Sequence, residues 1–264
     1  GYWGIAQTDM IQGILIALGM VALCIYVVVS CGGVTELIQG ATAADPARMA
    51  DPPAYYGNMW NCLSVCWVWQ IIAFGQPQLV TKFMGLKDSR TMKTVIRVSV
   101  PWIAIFLTCS GLIALGGLYM FGPDVENPDT ISSAMAFASH NVILQALFLI
   151  AAVAAGLSTL VALILTASAA ITRDLYQDIY LASRGKTIDG KKSIHISRAV
   201  TIVILLITMV MTLDPPGLVW EISTMASAGM GSAFFACTLI GMYWKRATKA
   251  ATIVSMIVGT SGTV

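Results

Sequence analysis

Seven apolar segments follow one another along the chain, most of them close to the length of a helix that crosses a lipid bilayer. A membrane-spanning helix needs roughly 20 predominantly apolar residues. Backbone groups inside lipid must bond to one another, and the alternating strands of a barrel are absent from the sequence, so the pattern predicts an all-α membrane protein. The segments cover about residues 10–30 (segment a), 58–75 (b), 98–121 (c), 142–170 (d), 199–213 (e), 218–243 (f) and 250 onward (g), with b and e short.

The basic residues alternate with these segments and indicate the orientation of the chain. Fourteen of the 15 Lys and Arg residues fall in the b–c, d–e and f–g connections, and Arg48 alone lies in an opposite connection, between a and b. Positively charged connections stay in the cytoplasm. The asymmetry therefore predicts a multi-pass protein of the inner (plasma) membrane with residue 1 on the cytoplasmic side, and it supports the count of seven segments.

Composition narrows the class further. Charged residues make up 11% of the chain, against about 25% in soluble domains. The lipid bilayer is thus the expected environment, and a net charge of +2 gives no reason to expect a nucleic-acid partner. No Ser–His–Asp set, paired carboxylates, phosphate-binding loop or zinc motif is recognisable, so neither an enzyme nor a resident metal is predicted. A start at Gly1 and an end at Val264 inside an apolar run predict a fragment.

Segment b is interrupted near its end by the sequence FGQP, residues 74–77. Gly and Pro free backbone groups from helical bonding, which a membrane tolerates where the backbone lines a cavity or is buried in protein. A short segment interrupted in this way is also a good sequence pointer to a transporter binding site. A simple proline kink beside interfacial tryptophans explains the same residues, so both interpretations stay open.

Segment d places Ala155, Ser158 and Thr159 on one helix face, because their offsets are three and four residues. Two hydroxyls and a backbone carbonyl are hard oxygen donors, which suit a small hard cation such as Na⁺. Small and hydroxyl residues on membrane helices also serve close helix packing. The same packing interpretation is favoured for the small-residue run 226–235 in segment f.

Few ionisable residues fall within the apolar segments, so the sequence predicts no proton relay. Asp9, together with Thr8, is expected to cap the start of segment a. The outer c–d connection is expected to form a short helix capped by Asp129 or Thr130.

Four stretches, taken in order, resemble the sodium:solute symporter family and its sodium/proline branch most of all. The first stretch has Ala6-Gln7 where the family usually has Ser-Trp, and the resemblance covers nearly the whole chain. The stretches are GIAQTDMIQG, FGQPQLVTKFMGLKDS, AAGLSTLVALILTASAAITRDLYQD, and SAGMGSAFF followed by MYWKRATKAATIVSMIVG.

The resemblance implies part of a leucine-transporter-type bundle with a five-plus-five inverted repeat. In that fold, residues 1–264 form a single transmembrane transporter domain. Residues 1–31 end the first repeat, 57–243 make the second repeat, and 250–264 begin the following helix. The missing N-terminal helices of the same transporter are then the expected partner.

The resemblance also implies roles for particular residues. Ala155, Ser158 and Thr159 match the family's sodium ligands on this side of the site, with the rest supplied by the missing first core helix. The expected substrate-binding residues are Trp69, Ala73, Gln76 and Pro77. The proline branch has a tyrosine where Ala73 stands and an aromatic residue where Ser227 stands, which implies a wider pocket or a different solute.

These implications lead to one expected function, secondary active transport. Na⁺ influx, with Na⁺ as the co-transported ion, is expected to drive uptake of a small organic solute by alternating access, with proline the first candidate. Two alternatives stay open: a symporter-like sensor domain of a signalling protein, and a proton-coupled carrier.

Overall fold

The computed structural model describes residues 2–50, 57–213 and 217–262, and every regular element in these ranges is a helix. The helices follow the chain order of the apolar segments. Their bounds are α1 Tyr2–Ser30, α2 Val34–Ala44, α3 Pro46–Ala50, α4 Met59–Phe74, α5 Pro77–Met84, α6 Ser89–Phe121, α7 Ile131–Ala138, α8 Val142–Ala169, α9 Gly190–Thr212, α10 Val219–Tyr243 and α11 Lys249–Ser261. A π-helical stretch, Ala170–Leu181, continues α8, and short 3₁₀ turns cover Pro128–Thr130 and Ala182–Arg184.

Five helical spans within the described ranges are long and apolar enough to cross a membrane. They coincide with segments a, c, d, e and f. Segments b and g correspond to shorter helices, α4 with 16 residues and α11 with 13. The all-helical membrane class is thus confirmed, while the seven-helix count and the inverted repeat stay predictions. The five spans are Gly4–Ser30, Ser89–Phe121, Val142–Arg184, Gly190–Thr212 and Val219–Tyr243.

The chain divides into two compact units. The first contains Gly1–Ala155 together with Thr224–Val264, and the second contains Gly156–Ser223. The boundary falls within α8, so the first turns of that helix belong to one unit and the rest to the other.

The core of the first unit lies where α1, α2, α6 and α7 meet. Leu23, Val27 and Met135 are fully buried there. A Cβ atom added at Gly116 of α6 would collide with the side chain of Val27. Glycine therefore lets α1 and α6 approach closely, as small residues do at helix interfaces in membranes.

Side-chain caps begin several of these helices. The Asn58 side chain accepts a hydrogen bond from Asn61 N–H at 2.8 Å, and Asp88 accepts from both the N–H and the hydroxyl of Thr91. The Thr91 hydroxyl and N–H hold the pKa of Asp88 below its usual value, since both bonds favour the charged carboxylate.

The predicted helix of the outer c–d connection is present as α7. Its predicted cap is wrong, because the side chain of Thr130 makes no capping hydrogen bond to α7. Asn127 caps the preceding 3₁₀ turn instead, accepting from Asp129 N–H at 3.0 Å. An Asn can cap from further upstream when the first turn is tightened in this way.

In the second unit, hydroxyl groups join α8 to α9. The Ser168 hydroxyl is 3.0 Å from the carbonyl oxygen of Ser197 and 2.9 Å from its hydroxyl. The Thr201 hydroxyl donates to Ser168 Oγ at 3.2 Å. Ser168 is 1% exposed and Thr172, one turn further, is 3% exposed. Within the described part of the chain, the Thr172 hydroxyl has no hydrogen-bond partner.

The two hydroxyls should therefore respond in opposite ways to removal. Thr172→Val replaces an unpaired buried hydroxyl by a methyl group of similar shape, and we expect it to raise the free energy of unfolding by about 1 kcal/mol. Ser168→Ala removes bonds between two helices and should lower it by a similar amount. Thermal melting of the detergent-solubilised protein measures both.

Thr166→Val is the matched control, because the Thr166 hydroxyl bonds only within its own helix, to Ala162 O at 2.9 Å. It should change the melting temperature less than Ser168→Ala does. If Thr172→Val lowers stability as much as Ser168→Ala, the Thr172 hydroxyl has a partner that stabilises the fold.

Candidate functional site

One helix, α8, carries all three predicted sodium ligands. Ala155 and Ser158 are half-buried and Thr159 is exposed. Because α8 is continuous from Val142 to Ala169, the three residues lie along one stretch of a regular helix, as their spacing predicts. Each takes part in further interactions. Whether they bind Na⁺ stays a prediction.

A cavity of about 540 Å³ opens in the first unit beside Ala155. Its volume lies in the range of small-molecule sites. Its wall is mainly apolar, with hydroxyls from Ser110 and Ser132, and it is closed on one side by α7. Among the described residues of its wall, none comes from the α4–α5 break.

The interruption predicted in segment b is present as a break between α4 and α5. Gly75 N–H donates to Ile72 O at 2.9 Å, which closes the last turn of α4. Pro77 then stands at the start of α5, where its fixed φ suits a helix and its missing N–H costs nothing. The side chain of Gln76 accepts a hydrogen bond from Gln78 Nε2 at 3.1 Å.

This break rests directly on the small-residue run of α10. A Cβ atom added at Gly75 would lie 2.6 Å from Gly231 Cα, and one added at Gly231 would lie 2.8 Å from Ile72 Cγ1. Phe74 and Phe235 contact edge to face with ring centroids 6.3 Å apart. The run in segment f therefore serves close packing, as expected, and the element it packs against is the predicted solute segment.

The predicted solute residues sit on both sides of the break. Ala73 is exposed on the last turn of α4, and Gln76 and Pro77 are half-buried. The side chain of Trp69 lies outside the described part of the structure. Ser227, on the neighbouring α10, is buried with 8% exposure. Their role in solute binding stays a prediction.

An ion pair between α1 and α5 was not predicted from the sequence. Lys82 Nζ lies 3.4 Å from Asp9 Oδ2, with side-chain exposures of 46% and 24%. The predicted cap at Asp9 and Thr8 is wrong, because α1 already begins at Tyr2. Thr8 bonds back to the carbonyls of Gly4 and Ile5 within the helix. The only sequence signal for the pair was a lone acidic residue in an apolar segment.

Comparison with known proteins decides the family. The sodium:solute symporter family matches residues 1–259, almost the whole chain. The chain belongs to this family. No solved structure matches it.

The similar proteins are transporters about twice as long as the chain. It is 28% identical to the osmoregulated proline transporter OpuE of Bacillus subtilis (strain 168), over 98% of the chain and 52% of the relative. It is 25% identical to the high-affinity proline transporter PutP of the same strain, over 98% of the chain and 54% of the relative. A sodium/proline symporter of Staphylococcus aureus is 26% identical, over 98% and 50%. The chain thus spans about half the length of these relatives.

Membership in the symporter family agrees with the helices described above. The chain is part of a multi-pass membrane protein, with five apolar helical spans in the described ranges. The related proteins are transporters and not enzymes, in line with the absence of a recognisable catalytic motif in the sequence.

Proposed function

We propose that the chain is the C-terminal half of a secondary transporter that couples Na⁺ influx to uptake of a small organic solute. The observation that carries this proposal is the family match over residues 1–259. The proposed fold is the leucine-transporter-type bundle, with residues 57–243 as its second repeat. Proline is the first solute to test, because the similar proteins are proline transporters.

The proposed sodium site consists of the Ala155 carbonyl and the hydroxyls of Ser158 and Thr159. Neutral oxygen ligands suit Na⁺ and allow its release more readily than carboxylates do. The remaining ligands come from helices of the same transporter that precede this chain. The cavity beside Ala155 supports this arrangement, since it leaves open space next to the proposed ligands.

The proposed solute site is the break between α4 and α5, with Trp69, Ala73, Gln76 and Pro77. A helix end exposes backbone groups that no intrahelical bond uses, and these groups can bind a polar solute. The tight seat of Gly75 on Gly231 supports this role, because it fixes the broken backbone in one position.

Coupling follows if Na⁺ binds one conformation better than the other. A ligand with equal affinity for both conformations shifts no equilibrium. In our proposal, Na⁺ joins α8 to a helix of the preceding half and so stabilises the outward-open state of an alternating-access cycle. Solute binding and closure then carry both to the cytoplasm.

The proposed topology in the plasma membrane makes a direct prediction. We expect Lys87, Arg184 and Arg246 on the cytoplasmic side, and Arg48 and Glu126 outside, because basic connections stay in the cytoplasm. Single cysteines at these positions, in a cysteine-free background, are treated in intact cells with a membrane-impermeant thiol reagent. Labelling at position 184 would overturn the topology, and labelling at positions 48 and 126 supports it.

Uptake of a panel of labelled solutes by cells that express the full-length transporter, with and without Na⁺, tests the function. Sodium-dependent uptake of one solute is the expected result. Uptake that follows a proton gradient without Na⁺ identifies a proton-coupled carrier. Binding of a solute with no uptake identifies a sensor domain. Either of the last two results contradicts the proposal.

A further inference from the structure

Two cysteines from different helices meet in the buried core of the first unit. Cys24 of α1 is 6% exposed and Cys109 of α6 is 8% exposed, and both belong to one packed cluster with Leu23 and Val27. Their thiol groups interact with each other. Neither thiol takes part in the proposed sodium or solute site, so their proximity is a separate feature of the fold.

The space around this pair allows the thiols to move. A cavity of about 20 Å³ lies between α1 and α6, beside Cys109. A void of this size holds about one water molecule, and its wall is made of apolar side chains such as Met20 and Phe106. A side-chain rotation of Cys109 therefore meets open space, and a small uncharged reagent can be accommodated there.

The helices approach closely enough for a covalent bridge. Cysteines form a disulfide when their Cα atoms lie within about 7 Å. The contact between the two thiols and the glycine-mediated approach of α1 and α6 at Gly116 are both compatible with that distance. Cys31 is buried too, but it stands seven residues after Cys24, about 10 Å further along the chain of a helix.

We propose that Cys24 and Cys109 are a modification site, a dithiol that a membrane-permeant two-electron oxidant converts to a disulfide joining α1 to α6. With the azo compound diamide as oxidant, both S–H bonds break and one S–S bond forms. The two electrons and two protons pass to the N=N bond, which leaves as a hydrazine. The bridge fixes α1 against α6, and a transporter whose helices must shift between two states is then arrested.

A gel experiment on the full-length transporter tests the bridge. A protease site is inserted between residues 51 and 56, so that cleavage separates α1 from α6 on a denaturing gel. After diamide we expect the two pieces to stay joined, and dithiothreitol should separate them. Cys24→Ala and Cys109→Ala should each abolish the joined band, whereas Cys31→Ala, Cys62→Ala and Cys237→Ala should retain it. Pieces that separate after oxidation of the unsubstituted protein overturn the proposal.

Uptake measured on the same cells tests the arrest. Diamide should lower the uptake rate at least tenfold in the parent protein, reversibly with dithiothreitol, and should leave Cys24→Ala and Cys109→Ala unaffected. A joined band with unchanged uptake overturns the arrest. The gel detects the disulfide directly, so it remains decisive even if the proposed sodium-coupled uptake fails its own test.

Discussion

Gly75→Ala is expected to lower solute uptake by the full-length transporter at least tenfold. The added Cβ would lie 2.6 Å from Gly231 Cα and 2.8 Å from Gly231 O. These are backbone atoms, which cannot rotate away, so either the break or α10 has to shift. Overpacking of this kind costs about 1–3 kcal/mol, and it acts on the segment proposed to bind solute. Initial rates of uptake, corrected for the amount of protein in the membrane, measure the effect.

Gly241→Ala is the matched control on the same helix. An added Cβ there meets nothing within 4 Å, so uptake should stay near the level of the parent protein. Gly231→Ala should be as harmful as Gly75→Ala, since its Cβ would lie 2.8 Å from Ile72 Cγ1. Normal uptake by Gly75→Ala would show that the break does not need its close seat on α10.

Ser158→Ala and Thr159→Ala are each expected to raise the Na⁺ concentration that gives half-maximal uptake. Each substitution deletes one proposed oxygen ligand and leaves a small residue that still packs in α8. Loss of a buried polar partner costs about 1–3 kcal/mol, which corresponds to a rise of roughly 5- to 150-fold. Uptake measured over a range of Na⁺ concentrations at fixed solute gives the shift.

Two further variants separate a sodium ligand from a packing residue. Thr159→Ser keeps the hydroxyl and should shift the Na⁺ dependence much less than Thr159→Ala. Thr166→Ala removes a hydroxyl whose bond goes to Ala162 O in the same helix, and it should leave the Na⁺ dependence unchanged. If Thr166→Ala has the same effect as the other two alanine variants, packing explains the hydroxyls and the sodium site lies elsewhere.

The membrane helices were predictable wherever an apolar run by itself reflects contact with lipid. Their ends were less so, because helices continue beyond the bilayer where no apolar pattern marks them. Segment e was predicted from about residue 199, whereas α9 begins at Gly190 and carries Lys191 and Lys192 in its first turn. Segment d likewise continues past Ala169 into the π-helical stretch, whose changed hydrogen bonding no residue type announces.

The candidate site was predictable only in its local parts. The break at Gly75–Gln76 follows from residue types whose backbone preferences are strong. The seat of Gly75 on Gly231 depends on which helices become neighbours, which local sequence does not encode. The pair of Asp9 and Lys82 joins residues 73 positions apart, and it depends on tertiary packing for the same reason.

Transport by purified full-length protein in liposomes tests the central claim most directly, because the gradients are imposed from outside. With an inward Na⁺ gradient and no proton gradient, labelled solute, proline first, should accumulate above its external concentration. A sodium ionophore should abolish the accumulation, and Ser158→Ala should demand more Na⁺ for the same rate. Equal accumulation driven by an inward proton gradient in the absence of Na⁺ would contradict sodium coupling.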